Sequence, residues 1–354
     1  MDEPDTAAPA AAGDSGSRYE VHVGFACCYR CVFCPSAAPG SHRRRARIEE
    51  VTTEIDRAAR RGATSLNFSG GEPSIHPAIE EMVRHARDRG FGHIGMITNG
   101  RGLSDPNRLS SLCDAGLSQV SLSFHSHEAR LEDRITGTEG SFEHKARALD
   151  NLVAARRAGA LADGFSVKTV LHRRILDRLE DLVDFFVQRG VHRIGFNFIR
   201  PDHRARDKTW VPRLADTMPR LRDLVARNES EWNIELGFLD IPWCKLPWEV
   251  LSIPHLRRRY VGRNDERGIS IFLGEQEPAP KRIEWKDERA DVMKTHPAAC
   301  GKCPLRNHCE GVWRAYLDVH GQDEFAAGPG VVKACLGGNA SLQRASGNQP
   351  GQTR

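Results

Sequence analysis

The sequence predicts an α/β protein with a parallel sheet, because short apolar segments alternate with amphipathic helical segments between residues 19 and 198. The alternation gives six repeats, and strands joined by helices of this length form parallel sheets through right-handed crossovers. Six repeats are too few for a closed eight-unit barrel, which leaves an open partial barrel or a doubly wound sheet. In both arrangements ligands bind at the carboxyl ends of the strands.

The predicted strands cover residues 19–25, 64–68, 93–98, 119–124, 165–171 and 191–198. Helices are predicted over residues 43–62, 77–90, 104–116 and 141–159, and a fifth follows the fifth strand. In the first helix, Ile48, Val51 and Ile55 recur at helical spacing and predict one buried face. Ser104 is the expected N-cap of the third helix. Asp177 and Glu180 have the spacing of a capping box for the fifth helix.

The composition predicts a cytoplasmic protein with a substantial core. The 354 residues suit two domains, or one large domain with an appendage. A net charge of +4 is too small to indicate nucleic acid or a membrane surface as the main partner. The alternation of strand-like and helical segments ends beyond residue 201, and we place a domain boundary near residue 210. The expected organisation is a disordered tail (1–17), a core domain (18–210), a cysteine-rich domain (211–336) and a second disordered tail (337–354).

The ten cysteines are grouped, with four in residues 27–34 and three in residues 300–309. Without a secretory signal, such groups indicate metal binding in a reducing compartment rather than disulfides. Cys27, Cys31 and Cys34 follow the first strand at the spacing Cys-x3-Cys-x2-Cys. A closed structural site needs four protein ligands, whereas three leave a position open for chemistry. A zinc knot or a chance cluster is the alternative.

This spacing, with Phe33 before the last cysteine, resembles the cluster loop of the radical S-adenosylmethionine (radical SAM) superfamily. The resemblance implies a [4Fe-4S] cluster on Cys27, Cys31 and Cys34 whose fourth iron is chelated by S-adenosylmethionine. Over residues 19–200 it also implies a partial (β/α)6 barrel. Further residues match cofactor-contacting positions of the family, and these are Gly70, Gly71, Glu72 and Pro73 after the second strand, Asn99 after the third, Ser123 in the fourth, and Arg134.

Polar residues also interrupt strands that should be apolar on both faces. They are Lys168 in the fifth strand, Asn197 in the sixth and His125 two residues after Ser123. Alternation places His125 on the face of Ser123, toward the cofactor. As a set the three residues are candidates for substrate contacts, although exposure to solvent at the end of a strand would explain the polarity of each one alone. The sequence identifies no catalytic acid or base.

The second cysteine group, Cys300-x2-Cys303-x5-Cys309, resembles the auxiliary-cluster segment of the SPASM and Twitch groups of radical SAM proteins. The full SPASM pattern has another cysteine four residues after the third, where this chain has Trp313. One auxiliary [4Fe-4S] cluster is therefore expected, with Cys244 as its fourth ligand and Cys335 as the alternative. A structural zinc in the same four thiolates remains open.

The resemblance implies an oxidoreductase-type enzyme that cleaves S-adenosylmethionine reductively and abstracts hydrogen from a substrate. Expected substrates are a ribosomally made peptide or another natural-product precursor. About 18 residues precede the first strand, too few for a leader-binding domain. A sugar or amino acid metabolite is the alternative, and a non-catalytic iron–sulfur or zinc protein is the alternative of another class. A one-electron donor such as flavodoxin or ferredoxin is the expected protein partner.

Overall fold

Nine strands form one sheet in the computed structural model, which describes residues 18–34, 44–201, 205, 207–261, 268–273 and 281–325. The sheet order is β7-β6-β5-β4-β3-β2-β1-β8-β9, and every neighbouring pair is parallel except β8 and β9. A separate antiparallel pair is formed by β10 and β11. The strands are β1 (Arg18–His22), β2 (Ser65–Ser69), β3 (His93–Thr98), β4 (Gln119–Ser123), β5 (Gly164–Leu171), β6 (Arg193–Phe198), β7 (Glu235–Leu239), β8 (Gly268–Phe272), β9 (Lys281–Glu284), β10 (Lys294–Thr295) and β11 (Val312–Trp313).

Helices follow the first six strands and pack on one face of the sheet. In the described residues they are α1 (Ile48–Arg60), α2 (Ile79–Asp88), α3 (Pro106–Ala115), α4 (Ala129–Thr136), α5 (Ser141–Arg157), α6 (Leu179–Val187), α7 (Leu214–Arg227), α8 (Trp248–Ser252), α9 (Pro254–Tyr260), α10 (Trp285–Asp287) and α11 (Arg314–His320). Neighbours along the chain contact one another in a continuous layer, α1 with α2, α2 with α3, and α3 with α5. A doubly wound sheet would divide these helices between two faces.

The sheet is curved, because residues far apart in its strand order line the same cavity. Arg18 in β1 and Leu239 in β7 both line this cavity, although five strands separate β1 from β7. In a flat sheet the two strands would lie about 29 Å apart at the usual interstrand spacing. The arrangement is therefore an open partial barrel, with its helices outside and its concave face toward the cavity. The prediction of an α/β partial barrel is confirmed.

All six predicted strands occur, and β3 has the predicted bounds. Both expected helix caps are wrong. Asp105, not Ser104, caps α3 by accepting a hydrogen bond from the Asn107 backbone N–H. A 3-10 turn over residues 176–178 precedes α6, which begins at Leu179 without a capping side chain.

The segment beyond residue 210 contributes to the main sheet, since β7 pairs with β6 and β8 pairs with β1. The expected tails, residues 1–17 and 337–354, lie outside the described residues, as does Cys335. Within the described part of the chain, no helix combines the length and apolar character that a membrane span requires.

Candidate functional site

The cysteine loop of residues 27–34 lies beyond the carboxyl end of β1, and α4 holds its backbone. The Arg30 N–H donates to the Thr136 carbonyl at 2.8 Å, and the Val32 N–H donates to the Ile135 carbonyl at 2.9 Å. Cys27, Cys31 and Cys34 are half-buried, unbridged thiols. Three soft donors on one fixed loop suit an iron–sulfur cluster by their chemistry.

Two N–H groups approach the sulfur of Cys27, and one of them, the Asn99 amide, also lies 3.6 Å from Cys28 Sγ. The Tyr29 backbone N–H donates to Cys27 Sγ at 3.4 Å, and Asn99 Nδ2 lies 3.6 Å from the same sulfur. The pKa of the Cys27 thiol is lowered, mainly by a hydrogen bond from Cys28, against the opposing effect of burial. Burial raises the pKa of Cys31 to about 12. The hydrogen bonds to Cys27 therefore favour its thiolate, whereas burial disfavours the thiolate of Cys31.

Gly70 and Gly71 allow the loop after β2 to pack on the backbone that enters the cysteine loop. A Cβ at Gly70 would lie 2.5 Å from the Gly24 carbonyl oxygen, and one at Gly71 would lie 2.3 Å from the Ala26 oxygen. The Gly71 N–H donates to Gly24 O at 2.8 Å, and the Glu72 N–H donates to Ala26 O at 2.8 Å. Both glycines therefore allow the backbone of this loop to lie directly against the backbone that leads into the cysteine loop.

The Glu72 carboxylate is buried and links the loop after β2 to the end of β3. The next residue, Pro73, begins a 3-10 turn. Its Oε1 accepts hydrogen bonds from the Ser74 N–H at 2.9 Å and from the Thr98 hydroxyl, and its Oε2 accepts from the Asn99 N–H at 2.6 Å. Burial raises the pKa of this carboxyl, while these donors lower it. Glu72 thereby fixes the Asn99 backbone, and with it the amide beside Cys27.

The concave face of the sheet carries polar side chains in register. Ser123 pairs with Lys168, and Lys168 pairs in turn with Gly195. A Cβ at Gly195 would lie 2.6 Å from Lys168 Nζ, so the glycine makes room for the lysine to lie across β6. Burial lowers the pKa of Lys168, with further contributions from Arg18 and Arg193.

A large cavity adjoins this face. Its wall includes Arg18 and Glu20 of β1, Asn197 of β6, and Phe33 of the cysteine loop. Phe33 is the residue before Cys34, so the cavity reaches the cysteine loop. Of the three residues expected to contact substrate, Asn197 lines the cavity.

Comparison with known proteins identifies the part of the chain that carries these residues. A model of the Radical SAM superfamily matches residues 21–186. This segment is a radical SAM domain. PqqA peptide cyclase of Ruegeria pomeroyi is 32% identical over 175 residues, which are 48% of this chain and 43% of that protein. PqqA peptide cyclase of Rhodopseudomonas palustris is 35% identical over 161 residues, 44% of this chain and 41% of that protein. The matches thus span less than half the length of these curated relatives.

Solved structures agree in fold. Streptococcus suis SuiB bound to S-adenosylmethionine aligns with a TM-score of 0.59 at 17% identity, covering 86% of this chain and 74% of that one. The anSMEcpe structure with bound AdoMet and Kp18Cys peptide aligns with a TM-score of 0.58 at 14% identity, covering 91% and 99%. The aligned region extends well beyond the radical SAM domain into the segment with the second cysteine group.

Two buried histidines face Phe33 inside the radical SAM domain. His125 meets the Phe33 ring edge-on at 4.9 Å between centroids, and His172 stacks on Phe33 at 6.1 Å. Burial lowers the pKa of His125 well below its usual range and that of His172 to about 3. His125 Nδ1 accepts from the Val170 N–H at 3.3 Å, so the neutral ring carries its proton on Nε2.

No sequence motif includes His172, although strand alternation from Lys168 through Val170 places it on the concave face. The buried ion pair between Glu132 and Lys145 has no local signal in the sequence. Arg134, expected beside the cofactor, is exposed in the last turn of α4. Its contact with the cofactor stays a prediction.

The second cysteine group converges with Cys244 from outside the radical SAM domain. One pocket is lined by four thiols from two stretches of the chain, those of Cys244 and of Cys300, Cys303 and Cys309. Burial, followed by the nearby Cys309, raises the pKa of Cys244 to about 12. The Gly311 N–H donates to Cys309 Sγ at 3.4 Å. Among the described residues, no group of three or more candidate ligands has an arrangement suited to a single metal ion.

Proposed function

We propose that this protein is a radical SAM enzyme that modifies a peptide. The observation that carries the proposal is the set of three thiols outside any disulfide, Cys27, Cys31 and Cys34, on a loop fixed at the carboxyl end of β1 within a radical SAM domain. A [4Fe-4S] cluster with bound S-adenosylmethionine supplies one-electron reductive cleavage to methionine and a 5′-deoxyadenosyl radical, which abstracts hydrogen.

The chain's own residues prepare the site for such a group. Asn99 and the Tyr29 backbone direct N–H groups at Cys27 Sγ, and such donors favour the thiolate that binds iron. Glu72 keeps Asn99 in place through the backbone bond described above. We further propose cofactor contacts for Phe33, the residues from Gly70 to Pro73, Ser123 and Arg134, as the resemblance implies.

We infer one auxiliary [4Fe-4S] cluster on Cys244, Cys300, Cys303 and Cys309. Their convergence on one pocket supports the inference. A single zinc ion would need thiolates about 3.8 Å apart, whereas a four-iron cluster spans a wider set of donors. We also infer that residues 18–210 form the core domain and residues 211–336 an auxiliary-cluster domain, which contributes β7, β8 and β9 to the sheet of the core domain.

A peptide substrate is supported by the relatives. Those at 32% and 35% identity are peptide cyclases, and similar folds include SuiB bound to precursor peptide SuiA and anSMEcpe with bound peptide. We infer that His125, Lys168 and Asn197 contact this peptide from the concave face. A small one-electron donor, such as flavodoxin or ferredoxin, would supply the electron in a cytoplasmic setting.

The test is anaerobic reconstitution of the full chain with iron and sulfide, followed by S-adenosylmethionine and dithionite. We expect 5′-deoxyadenosine without added substrate, and we expect none from the Cys31→Ala variant. Cys113→Ala is the matched control, because Cys113 lies on α3 among apolar residues and should leave the product unchanged. An intact cluster that yields no 5′-deoxyadenosine contradicts the proposal.

A further inference from the structure

The two stretches of chain that supply the four thiols of the second cysteine group are far apart in the sequence. Cys244 follows β7, whereas Cys309 lies in the turn before β11. Two helices, α8 and α9, and three strands, β8, β9 and β10, lie between them. A metal centre on all four thiols therefore requires contacts that hold the two stretches together.

The Lys294 side chain makes such a contact. Its Nζ lies 3.0 Å from Asp240 Oδ1 and 2.5 Å from Glu310 Oε2. Asp240 comes directly after β7, at the start of the segment that leads to Cys244, and Glu310 is the residue next to Cys309. One ammonium group therefore binds a carboxylate on each stretch.

The position of this ammonium is closely defined, because the Lys294 side chain is only 2% exposed. Removing an ammonium group from water is costly unless opposite charges and hydrogen-bond acceptors surround it. Its Nζ also lies 4.6 Å from the centre of the ring of Trp313, its partner in the pairing of β10 with β11. Arg289 binds Asp240 as well, with its Nη1 3.7 Å from Oδ1. Among the described residues, Lys294 is the cation that binds both carboxylates.

The backbone next to Lys294 is fixed to the turn of Cys309. A Cβ at Gly311 would lie 2.4 Å from the Thr295 carbonyl oxygen, so only a glycine allows this close approach. His296 Nε2 lies 2.9 Å from the Cys309 carbonyl oxygen. These contacts place Lys294 on the side of Cys309, and its ammonium then reaches Asp240 on the side of Cys244.

A ring contact also joins the two stretches. Trp243 stacks on His308 with 5.9 Å between the ring centroids, and His308 is exposed. A ring stack that is open to solvent stabilises less than a buried, charged contact whose loss leaves carboxylates uncompensated. The ammonium of Lys294 is therefore the contact whose loss should matter most.

We propose that Lys294 positions Cys244 against Cys300, Cys303 and Cys309, so that the second cluster forms on all four thiolates. The inference rests on the auxiliary cluster of the proposed function and adds a positioning residue to it. Without the ammonium, the carboxylates of Asp240 and Glu310 would face one another, and their repulsion would separate the two stretches.

The test is the iron content and the electron paramagnetic resonance spectrum of the full chain, reconstituted anaerobically and reduced with dithionite. We expect about eight iron atoms per unaltered chain and about four in Lys294→Met, a loss of one cubane cluster. The variant should also lose one of the two cluster signals in the spectrum. It should still form 5′-deoxyadenosine, because the cysteine loop of residues 27–34 is unchanged.

Two control variants separate the bridge from the loss of a positive charge. Arg289→Gln removes a cation that binds Asp240 and leaves the bridge intact. Lys302→Met removes an exposed charge between Cys300 and Cys303. Both controls should retain about eight iron atoms per chain. If Lys302→Met lost as much iron as Lys294→Met, a nearby positive charge rather than the bridge would be the requirement, and the inference would be overturned.

A double variant, Lys294→Met with Asp240→Asn, keeps the test decisive if Lys294→Met alone does not fold. It removes one cation and one anion, and Asn tolerates the left-handed backbone of Asp240, whose φ is 61°. We expect the double variant to unfold at a temperature close to that of the unaltered protein and to hold about four iron atoms. A folded double variant with about eight would contradict the role of the bridge.

The same preparations distinguish this inference from the proposed function. Two cluster signals and about eight iron atoms in Lys294→Met would overturn the inference and leave the proposed function intact. An unaltered chain that forms 5′-deoxyadenosine without a second cluster would overturn the inference together with the auxiliary cluster. An unaltered chain with an intact first cluster and no 5′-deoxyadenosine would contradict the enzyme itself.

Discussion

Glu132 and Lys145 form an ion pair in which both side chains are completely buried. The pair connects α4 and α5 beneath the cysteine loop. Glu132 Oε2 also accepts the His125 N–H at 3.0 Å, and Lys145 Nζ lies 5.5 Å from the centre of the Tyr29 ring. Since α4 also binds the loop backbone, the pair supports the geometry on which the three thiols depend.

We predict that Lys145→Met destabilises the protein by about 3–5 kcal/mol, because it leaves the Glu132 charge buried without compensation. Adding Glu132→Gln in the same chain should recover part of the loss, since that change removes the uncompensated charge. Urea unfolding at pH 7 measures both effects. Lys208→Met, at an exposed position, should stay within about 0.5 kcal/mol of the unaltered protein. A double variant no more stable than Lys145→Met would contradict the explanation.

His172 should make the stability depend on pH. Burial lowers its folded-state pKa from 6.5 to about 3, so the unfolded chain takes up a proton first as the pH falls. The stability is therefore complete above pH 6.5 and is lost between 6.5 and 3. For this residue the loss between pH 8 and pH 5 should be about 2 kcal/mol. His125, whose pKa is also lowered, should add to the loss in the same direction.

The measurement is urea unfolding of the full chain at pH 8 and pH 5, compared with His172→Gln. The variant should lose about 2 kcal/mol less than the unaltered protein over this interval. His192→Gln, at an exposed position, should retain the full pH dependence. An unchanged dependence in His172→Gln would show that this histidine is not the group that titrates.

The features that could be predicted from the sequence are those that depend on the spacing of nearby residues. Strand and helix periodicity located β1 to β6, and cysteine spacing located the loop that the family comparison then identified. Contacts between distant segments had no such signal. The Lys168 side chain crosses β6 only because Gly195 lies opposite, and Glu132 meets Lys145 only because two helices pack. The addition of β8 to the sheet depends on pairing with β1, near the other end of the described chain.

Gly71 should tolerate no side chain, for a reason that the motif alone did not reveal. Gly71→Ala would place a Cβ 2.3 Å from the Ala26 carbonyl oxygen and displace the backbone that leads into Cys27. We expect a loss of about 1–3 kcal/mol, as for other overpacked sites, together with lower iron content after reconstitution. Thermal unfolding and iron analysis test this expectation. Gly92→Ala meets nothing within 4 Å and should leave both values unchanged. Normal stability and iron content in Gly71→Ala would show that this backbone can yield.

The last prediction concerns the fourth ligand of the auxiliary cluster. Cys244 lines the pocket of Cys300, Cys303 and Cys309, and its pKa is raised by burial and by their charges, so its thiolate needs a cation for compensation. Cys244→Ala should therefore lower the iron content by about four per chain, the content of one cubane cluster. It should leave the cluster on Cys27, Cys31 and Cys34 able to form 5′-deoxyadenosine. Cys335→Ala and Cys113→Ala are the comparison variants and should retain all the iron. Loss of iron from Cys335→Ala instead would identify Cys335 as the fourth ligand. Zinc in place of this iron in the unaltered protein would show that the second cysteine group is a structural zinc site.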